Sequence, residues 1–316
     1  MEGRLTICIS PTEEEVENAN TLYFRVAGLK FSVSSDASVS ELQKLMPSYR
    51  LFYEKDATDD APLFELFVHI AGECDVPAPA EGRLLHTFDE PDIIQEFYAE
   101  PQGGHSIRIY THPRSLAAIL HASADWRQAR AEIFGGKDTQ SYALGNVVMM
   151  LYALTALEAN ALLLHASVVE HSGKGYIFQG KSGTGKSTHS RLWLKFIPDT
   201  ALLNDDNPVV RLMPDGTVRV FGTPWSGKTP CYINRSVPVG AFVRLFQAPV
   251  NKIVLMQPPL SGASIIGSAS GMRWDTDFYT RMLQLSFSIA KQTGIFTLHC
   301  LPDEEAARIC HAAVTR

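Results

Sequence analysis

The chain has little cysteine and no cysteine pair. Five cysteines occur in 316 residues, widely spaced, and none forms a Cys-x-x-Cys motif. An odd number at such spacing argues against a disulfide framework and against a structural zinc site. We therefore expect buried free thiols in a reducing compartment. The five are Cys8, Cys74, Cys231, Cys300 and Cys310.

The chain also lacks a long apolar run and an excess of basic residues. Its most apolar stretch, Val147–Leu157, is too short to span a bilayer, so we expect a buried helix and no membrane partner. Met1–Ser10 contains Glu2 and Arg4 in place of an apolar core, which predicts no secretory signal and a cytoplasmic location. A net charge of −6 provides no general attraction to nucleic acid.

Against these absences stands a complete phosphate-binding motif, G-x-x-x-x-G-K-[ST], at Gly180–Ser187. Its glycines let backbone N–H groups face an anion. Lys186 supplies a cation for the outer phosphates, and the Ser187 hydroxyl can ligate Mg²⁺. Thr188–Phe196 follows with a helical pattern, so the helix N-terminus directs partial positive charge at the same phosphates. The motif predicts binding of ATP or another nucleoside triphosphate.

The residues expected to surround the phosphates are Gly180, Lys181, Ser182, Gly183, Thr184, Gly185, Lys186, Ser187 and Thr188.

Two adjacent carboxylates follow the predicted strand Ala201–Leu203, at Asp205 and Asp206. One carboxylate there can hold Mg²⁺, which prefers hard oxygen ligands, while the other is free to accept a proton. The alternative is a turn that Asp and Asn residues merely cap. Upstream, His165 lies on an apolar strand, where a lone histidine is by itself most often a satisfied core residue.

The turn at Gly135–Asp138 is the predicted domain boundary. Residues 1–135 are predicted to form a β-rich α+β accessory domain, and residues 136–316 the nucleotide-binding domain. A tight hairpin joins the predicted strands Leu162–Glu170 and Tyr176–Gln179, which favours a mixed sheet over a parallel one.

In the first region the predicted strands are Leu22–Val26, Leu29–Val33, Arg50–Tyr53, Leu63–Ile70, Gly82–Phe88 and Ser106–Tyr110. The predicted short helices there are Leu116–His121 and Trp126–Ile133. The predicted helices of the second region are Tyr142–Ala159, Thr188–Phe196, Asp277–Lys291 and Asp303–Val314.

The segment from Leu162 to Asp206 resembles the catalytic domain of bacterial HPr kinase/phosphorylase and, more broadly, its PEP-carboxykinase-like superfamily. The chain has that family's order and spacing of four elements, which are His165-Ala-Ser-Val-Val, a turn at Gly173–Gly175, the phosphate-binding motif Gly180–Ser187 (the P-loop) and Asp205-Asp206. The resemblance implies an α/β P-loop domain with a mixed sheet.

The resemblance also implies roles. Lys186 would bind phosphates, and Ser187 with Asp205 would hold Mg²⁺. Asp206 would take the proton from an acceptor hydroxyl, with His165 orienting or electrostatically supporting it. The implied activity is phosphoryl transfer from Mg²⁺–ATP to a serine-like hydroxyl.

One departure from the family concerns the acceptor. The arginine–glycine segment that faces HPr is replaced by Gly222–Lys228, so the hydroxyl of another protein, a peptide or a small molecule is the expected acceptor. Lys228 and Arg235 are candidate phosphate or substrate contacts, and Arg244 and Arg273 are further candidates for charge stabilisation. The alternative for the Gly222–Lys228 loop is a structural turn.

Other functions stay open. These are a non-catalytic nucleotide-sensing module, a simple NTPase and, least favoured, a PEP-carboxykinase-like lyase. Homo-oligomerisation is a further expectation, because related kinases assemble into oligomers.

Overall fold

The computed structural model describes residues 20–55, 60–71, 82–227 and 229–315. Contacts within it divide the chain after Thr155 into two compact units. Each unit contains a mixed β-sheet with helices, so the predicted α/β class is confirmed. The two units are described separately below.

The first unit is rich in strands. In chain order its elements are β1 (Asn20–Val26), β2 (Leu29–Ser35), α1 (Val39–Leu45), a 3₁₀ turn (Pro47–Phe52), β3 (Tyr53–Glu54), β4 (Glu65–Ile70), β5 (Arg83–Glu90), β6 (Ile93–Ala99), β7 (His105–Thr111), β8 (Ser115–Ala122), β9 (Gln128–Ile133) and α2 (Lys137–Thr155). The strands follow the order β3-β1-β2-β4-β9-β8-β7-β6-β5. Stacked, buried rings of Phe24, Phe31 and Phe64 form part of the core.

Helix α2 belongs to this first unit. Its Tyr152 hydroxyl donates to the carbonyl of Val26 (3.0 Å), and its Ser141 hydroxyl donates to the carbonyl of Leu45 (2.7 Å). The contact boundary therefore follows Thr155 rather than the Gly135–Asp138 turn.

Three predictions for this unit are corrected, while the β1–β2 hairpin is confirmed. Leu116–His121 and Trp126–Ile133 were expected as helices, but strands β8 and β9 occupy those positions. The run at 117–120 is buried on both faces of β8, so it lacks the alternation that distinguishes a strand from a buried helix. Arg50–Tyr53, expected as a strand, lies mostly in the 3₁₀ turn that Pro47 opens.

The helical segment Lys137–Ala159 is long and apolar enough to cross a membrane by length and composition alone. Within its apolar window 67% of the residues are buried inside the protein, which is the burial of a core helix.

The second unit contains the P-loop. Its elements are a 3₁₀ turn (Ala156–Ala159), β10 (Ala161–Leu163), β11 (Ala166–His171), β12 (Lys174–Gln179), α3 (Lys186–Phe196), β13 (Thr200–Asp206), β14 (Val209–Leu212), β15 (Val218–Phe221), β16 (Ser236–Gln247), β17 (Lys252–Leu255), α4 (Leu260–Ile266), α5 (Thr276–Ala290), β18 (Gly294–Cys300) and α6 (Glu304–Val314). The main strand order is β10-β14-β15-β16-β12-β11-β13, and β18 pairs with both β16 and β17.

Strand direction brings several chain segments to one edge of this sheet. β11 is antiparallel to both β12 and β13, and β16 is parallel to β12 and β18. The C-terminal ends of β12, β13, β16 and β18 therefore meet the N-terminal end of β11 at one edge, here termed the P-loop rim. At that rim Ala166 is paired with Gln179 on one side and with Asp206 on the other.

Helices α3 and α6 cover one face of the sheet. The fully buried Trp193 of α3 packs with Phe178 and Val243 from the sheet and with Cys310 of α6. This core fixes the start of α3, and with it the P-loop, against the ends of β12 and β16.

Candidate functional site

The P-loop is a tight turn between β12 and α3. Gly183 and Gly185 have φ values of +76° and +105°, which glycine adopts without the steric cost that a side chain brings. Thr184 closes the turn by donating from its backbone N–H (3.1 Å) and its hydroxyl (2.7 Å) to the carbonyl of Lys181. All the predicted phosphate-binding residues, 180 to 188, lie on this turn and the first turn of α3.

Lys186, the first residue of α3, extends back across the loop. Its Nζ donates to the carbonyls of Gly180 (3.1 Å) and Lys181 (3.3 Å) and to Nε2 of His165 (2.8 Å). The side chain is largely buried, and this burial lowers the pKa of Lys186, while the nearby carboxylates of Asp206 and Asp205 oppose that shift. The amine is therefore near both aspartates as well as the loop.

His165 links this lysine to the acidic pair. Its Nδ1 lies 2.9 Å from Oδ1 of Asp206. Because Nε2 accepts from the Lys186 ammonium, Nδ1 is the ring nitrogen that faces Asp206. Lys186, His165 and Asp206 thus form one continuous chain of polar contacts, termed below the Lys–His–Asp chain.

Asp206 is held in a strained backbone conformation. Its φ is +148°, a region that residues other than glycine rarely adopt. The side-chain amide of Asn207 donates to Oδ2 (2.9 Å), and the backbone of Asp206 forms an isolated β-bridge with Ser226. Strain of this kind persists only where surrounding contacts fix it, and it is concentrated at functional positions.

The loop Gly222–Gly227 lies against the acidic pair. The N–H of Gly227 donates to the carbonyl of Asp205 (2.7 Å), and a Cβ at Gly227 would lie 3.3 Å from Cβ of Asp206. The Thr223 hydroxyl donates to the carbonyl of Asn207 (2.7 Å) and accepts from the amide of Asn204 (3.1 Å). These bonds anchor the loop along the end of β13, beside the carboxylates.

The backbone of His165 has its own support. The predicted strand Leu162–Glu170 is interrupted here, since β10 ends at Leu163 and β11 begins at Ala166. The N–H of His165 donates to the carbonyl of Ser268 (2.7 Å). Arg273 in turn donates to the carbonyls of Ile266, Gly267 and Ala269, so this arginine shapes the segment that supports His165.

Asp205 and Ser187, the predicted Mg²⁺ ligands, are connected by contacts between neighbouring residues. Asp205 is paired with Ser167 on β11, and the Ser167 hydroxyl lies 2.6 Å from that of Ser190 on α3. Ser187 precedes Ser190 by three residues and so lies on the same helix face, one turn nearer the rim.

The donor set around these two residues fits Mg²⁺. Among the described residues no group of three or more His, Cys, Asp and Glu side chains forms a metal cage. Mg²⁺ is ordinarily bound by one or two carboxylates together with phosphates and water, and does not require such a cage. Asp205 is buried at the rim with 5% exposure, where one hard oxygen ligand is available.

One predicted contact, Arg235, is not brought into this site. Arg235 forms an ion pair with Glu170, near the opposite end of β11. Glu170 lies four residue steps along the strand from Ala166 at the rim, a distance of about 13 Å. Lys228 lies outside the described residues. Arg244, a further candidate, packs over the ring of Phe246.

The structure also adds residues that the sequence interpretation missed. Asn207, Ser226 and Ser268 each contact a residue of the Lys–His–Asp chain. Asn207 carried a sequence signal because it directly follows the acidic pair, and Ser226 because it belongs to the Gly222–Lys228 loop. Ser268 reaches the site through a tertiary contact alone.

Of the cysteines in the described residues, Cys231 and Cys310 are buried free thiols, as expected, whereas Cys300 is half-buried. Cys8 and Cys74 lie outside the described residues.

Comparison with known proteins places the chain in a family. Residues 134–300, more than half of the chain, match the ScmC family, described as SynChlorMet cassette protein ScmC. The chain belongs to this family. No curated protein matches the chain.

Proposed function

We propose that this protein is a kinase that transfers the γ-phosphoryl group of Mg²⁺–ATP to a serine-like hydroxyl. The observation that carries the proposal is the Lys–His–Asp chain, which joins a P-loop lysine to a strained strand-end carboxylate through one imidazole. The earlier resemblance of residues 162–206 to HPr kinase/phosphorylase and the PEP-carboxykinase-like superfamily supports the same assignment.

Phosphate binding falls to the P-loop. The phosphates would replace the carbonyls of Gly180 and Lys181 as acceptors for the Lys186 ammonium, and the loop N–H groups and the α3 N-terminus would add partial positive charge. Mg²⁺, held by Ser187 and Asp205, would neutralise charge on the transferred group when bound.

Asp206 would be the base in this reaction. Phosphoryl transfer needs an in-line nucleophile and a nearby base more than covalent help from the protein. The carboxylate of Asp206 would accept the hydroxyl proton. This carboxylate lies 2.9 Å from the Nδ1 of His165 and accepts a hydrogen bond from the amide of Asn207.

The acceptor approaches from the side of the Gly222–Gly227 loop. This loop lies directly beside Asp205 and Asp206 and is anchored by Asn204 and Thr223. We infer that its shape selects the hydroxyl that reaches Asp206.

The test is transfer of label from γ-labelled ATP to an array of serine- and threonine-containing peptides. Wild type should label a subset of peptides, and Asp206→Asn should reduce labelling at least about 100-fold while ATP affinity stays within about threefold, because the carboxamide removes the base but keeps the shape. Asp277→Asn, an exposed position at the start of α5, is the matched control and should label normally.

Three outcomes contradict the proposal. Release of inorganic phosphate without labelled peptide identifies an NTPase. ATP binding with neither transfer nor release identifies a nucleotide-sensing module. Full transfer by Asp206→Asn shows that Asp206 is not the base.

A further inference from the structure

A cleft of about 710 Å³ opens on the side of the P-loop away from Asp206. One wall is the P-loop turn Gly183–Gly185 with Thr188 and Leu192 of α3. The other wall is formed by the residues that end β16 and β18, Gln247–Pro249 and Cys300–Pro302. Its volume is within the range of small-molecule sites.

The position of the cleft follows from the strand order. β16 and β18 lie on one side of β12, and β11 and β13 lie on the other. Adjacent strands are about 4.8 Å apart, so the ends of β13 and β16 are separated by about 14 Å across the rim. The P-loop lies between them, with Asp206 on one side and the cleft on the other. In open α/β sheets, ligands bind in such crevices beyond the carboxyl ends of strands.

The chemistry of the cleft is that of a site for an uncharged ring. The leucine, proline, alanine and cysteine side chains of its walls are apolar, and none of the described residues that line it is an Asp, Glu, Lys or Arg. Its one imidazole, that of His189, has a pKa lowered to about 4 by burial and is therefore neutral near pH 7. The carboxamide of Gln247 is the polar group at the entrance, where its Nε2 donates to the carbonyl of Gly183 (3.2 Å).

We propose that this cleft binds the base of the donor nucleotide, while the triphosphate crosses the P-loop toward the acceptor side at Asp206. The inference rests on the proposed function, since it assumes a nucleotide donor. It assigns the two sides of the P-loop to different parts of the reaction: Leu192, Ala248 and Cys300 contact the base, and the Gly222–Gly227 loop contacts the acceptor.

The test compares MgATP with magnesium tripolyphosphate, which has the phosphates but no base. Calorimetric titration of wild type should show ATP binding at least about tenfold more tightly than tripolyphosphate. Ala248→Trp fills the cleft and should abolish this difference while leaving the dissociation constant of tripolyphosphate within about twofold. Val250→Trp, an exposed position two residues along that does not line the cleft, is the matched control and should retain the wild-type ratio.

A second measurement needs no substitution. Cys300 lines the cleft, and burial raises the pKa of its thiol, so alkylation by N-ethylmaleimide is followed at alkaline pH on the peptide that contains it. ATP should slow this alkylation at least about fivefold, whereas tripolyphosphate should not, because only the base occupies the cleft.

The outcomes separate this inference from the function on which it rests. Equal affinities of wild type for the two ligands, or equal protection of Cys300 by both, overturn the base site alone. Failure of both ligands to bind overturns the nucleotide assignment and this inference with it. A base site with no phosphoryl transfer in the peptide assay overturns the kinase and leaves the cleft assignment standing.

Discussion

A histidine lies at each end of strand β11, with His165 directly before the strand and His171 as its last residue, and the two have opposite surroundings. At the P-loop rim, His165 lies between two charged groups, with Asp206 at 2.9 Å and Lys186 at 2.8 Å. At the other end, the Nε2 of His171 lies 3.2 Å from the Nε2 of His311, and its Nδ1 lies 3.5 Å from the hydroxyl of Thr200. At the rim, charged groups from two separate segments meet at His165, whereas His171 contacts an imidazole and a hydroxyl.

The difference comes from strand direction. The rim is where β12 and β13 end, so a P-loop and an acidic turn must both begin there, and His165 is between them. At the opposite end the chain only makes a hairpin turn at Ser172-Gly173 and packs against α6. Position at the carboxyl edge of the sheet, rather than residue type, separates the two histidines.

Replacing each histidine in turn is the strongest test of the difference between His165 and His171. His165→Asn should lower kcat for transfer to a labelled peptide by about 100-fold, because Asp206 loses the imidazole that lies against it, with a smaller effect on the ATP dissociation constant. His171→Asn should leave kcat within about twofold. Equal losses of kcat in both variants would show that His165 acts only through the stability of the fold. Unfolding measurements on both variants would confirm it.

A third histidine sharpens the comparison through pH. His189 on α3 is buried against Phe178, accepts from the indole of Trp193 (3.1 Å) and has its pKa lowered from 6.5 to about 4 by burial. Above pH 6.5 it is neutral in both states, so its packing stabilises the fold fully. As the pH falls from 6.5 toward 4, the unfolded chain gains a proton that the folded chain does not, and stability falls by up to roughly 3 kcal/mol.

Urea unfolding at a series of pH values measures this effect. The part of the acid destabilisation that belongs to His189 should disappear in His189→Gln and persist in His299→Gln, whose side chain is exposed. An unchanged pH slope in His189→Gln would show that the histidine is solvated or charged in the folded protein.

The smallest expected effect concerns backbone strain within the acidic pair. Asp206 has φ +148°, so Asp206→Gly should be more stable to urea than Asp206→Ala by about 1 kcal/mol, although both lose the carboxylate. Asp205 has no positive φ, and there the order should reverse, with alanine more stable by about 0.5–1 kcal/mol. If the glycine and alanine variants had the same order of stability at both positions, backbone strain at Asp206 would be contradicted.

Much of this site was predictable because its residues are close in sequence. The motif at Gly180–Ser187 predicts its own turn and helix, since the glycines, Lys186 and the helix start act within nine residues. The β11–β12 hairpin, and with it the mixed sheet, followed from the turn at Gly173–Gly175. The acidic pair was visible because a short apolar run precedes it.

The contacts across the rim were not predictable from local patterns, and the contact of His165 with Asp206 was expected only through the family resemblance. Whether His165 meets Asp206 depends on the register of β11 with β13, which includes an irregularity between Val168 and Val169 that no local pattern indicates. The wrong helices at Leu116–His121 and Trp126–Ile133 have the same cause in the first unit. The strands at these positions, β8 and β9, are specified by pairing with neighbouring strands and not by the period of their own hydrophobic pattern.

The proposed binding of MgATP by the P-loop is tested most directly at Lys186. Calorimetric titration of MgATP into wild type and Lys186→Met should show saturable binding by wild type and a loss of at least about 100-fold in affinity in the variant, since the buried ammonium is removed from the phosphates. Lys195→Met, which removes an exposed lysine from the same helix, should bind as wild type does. Absence of MgATP binding by wild type, or equal affinity in Lys186→Met, would contradict the account.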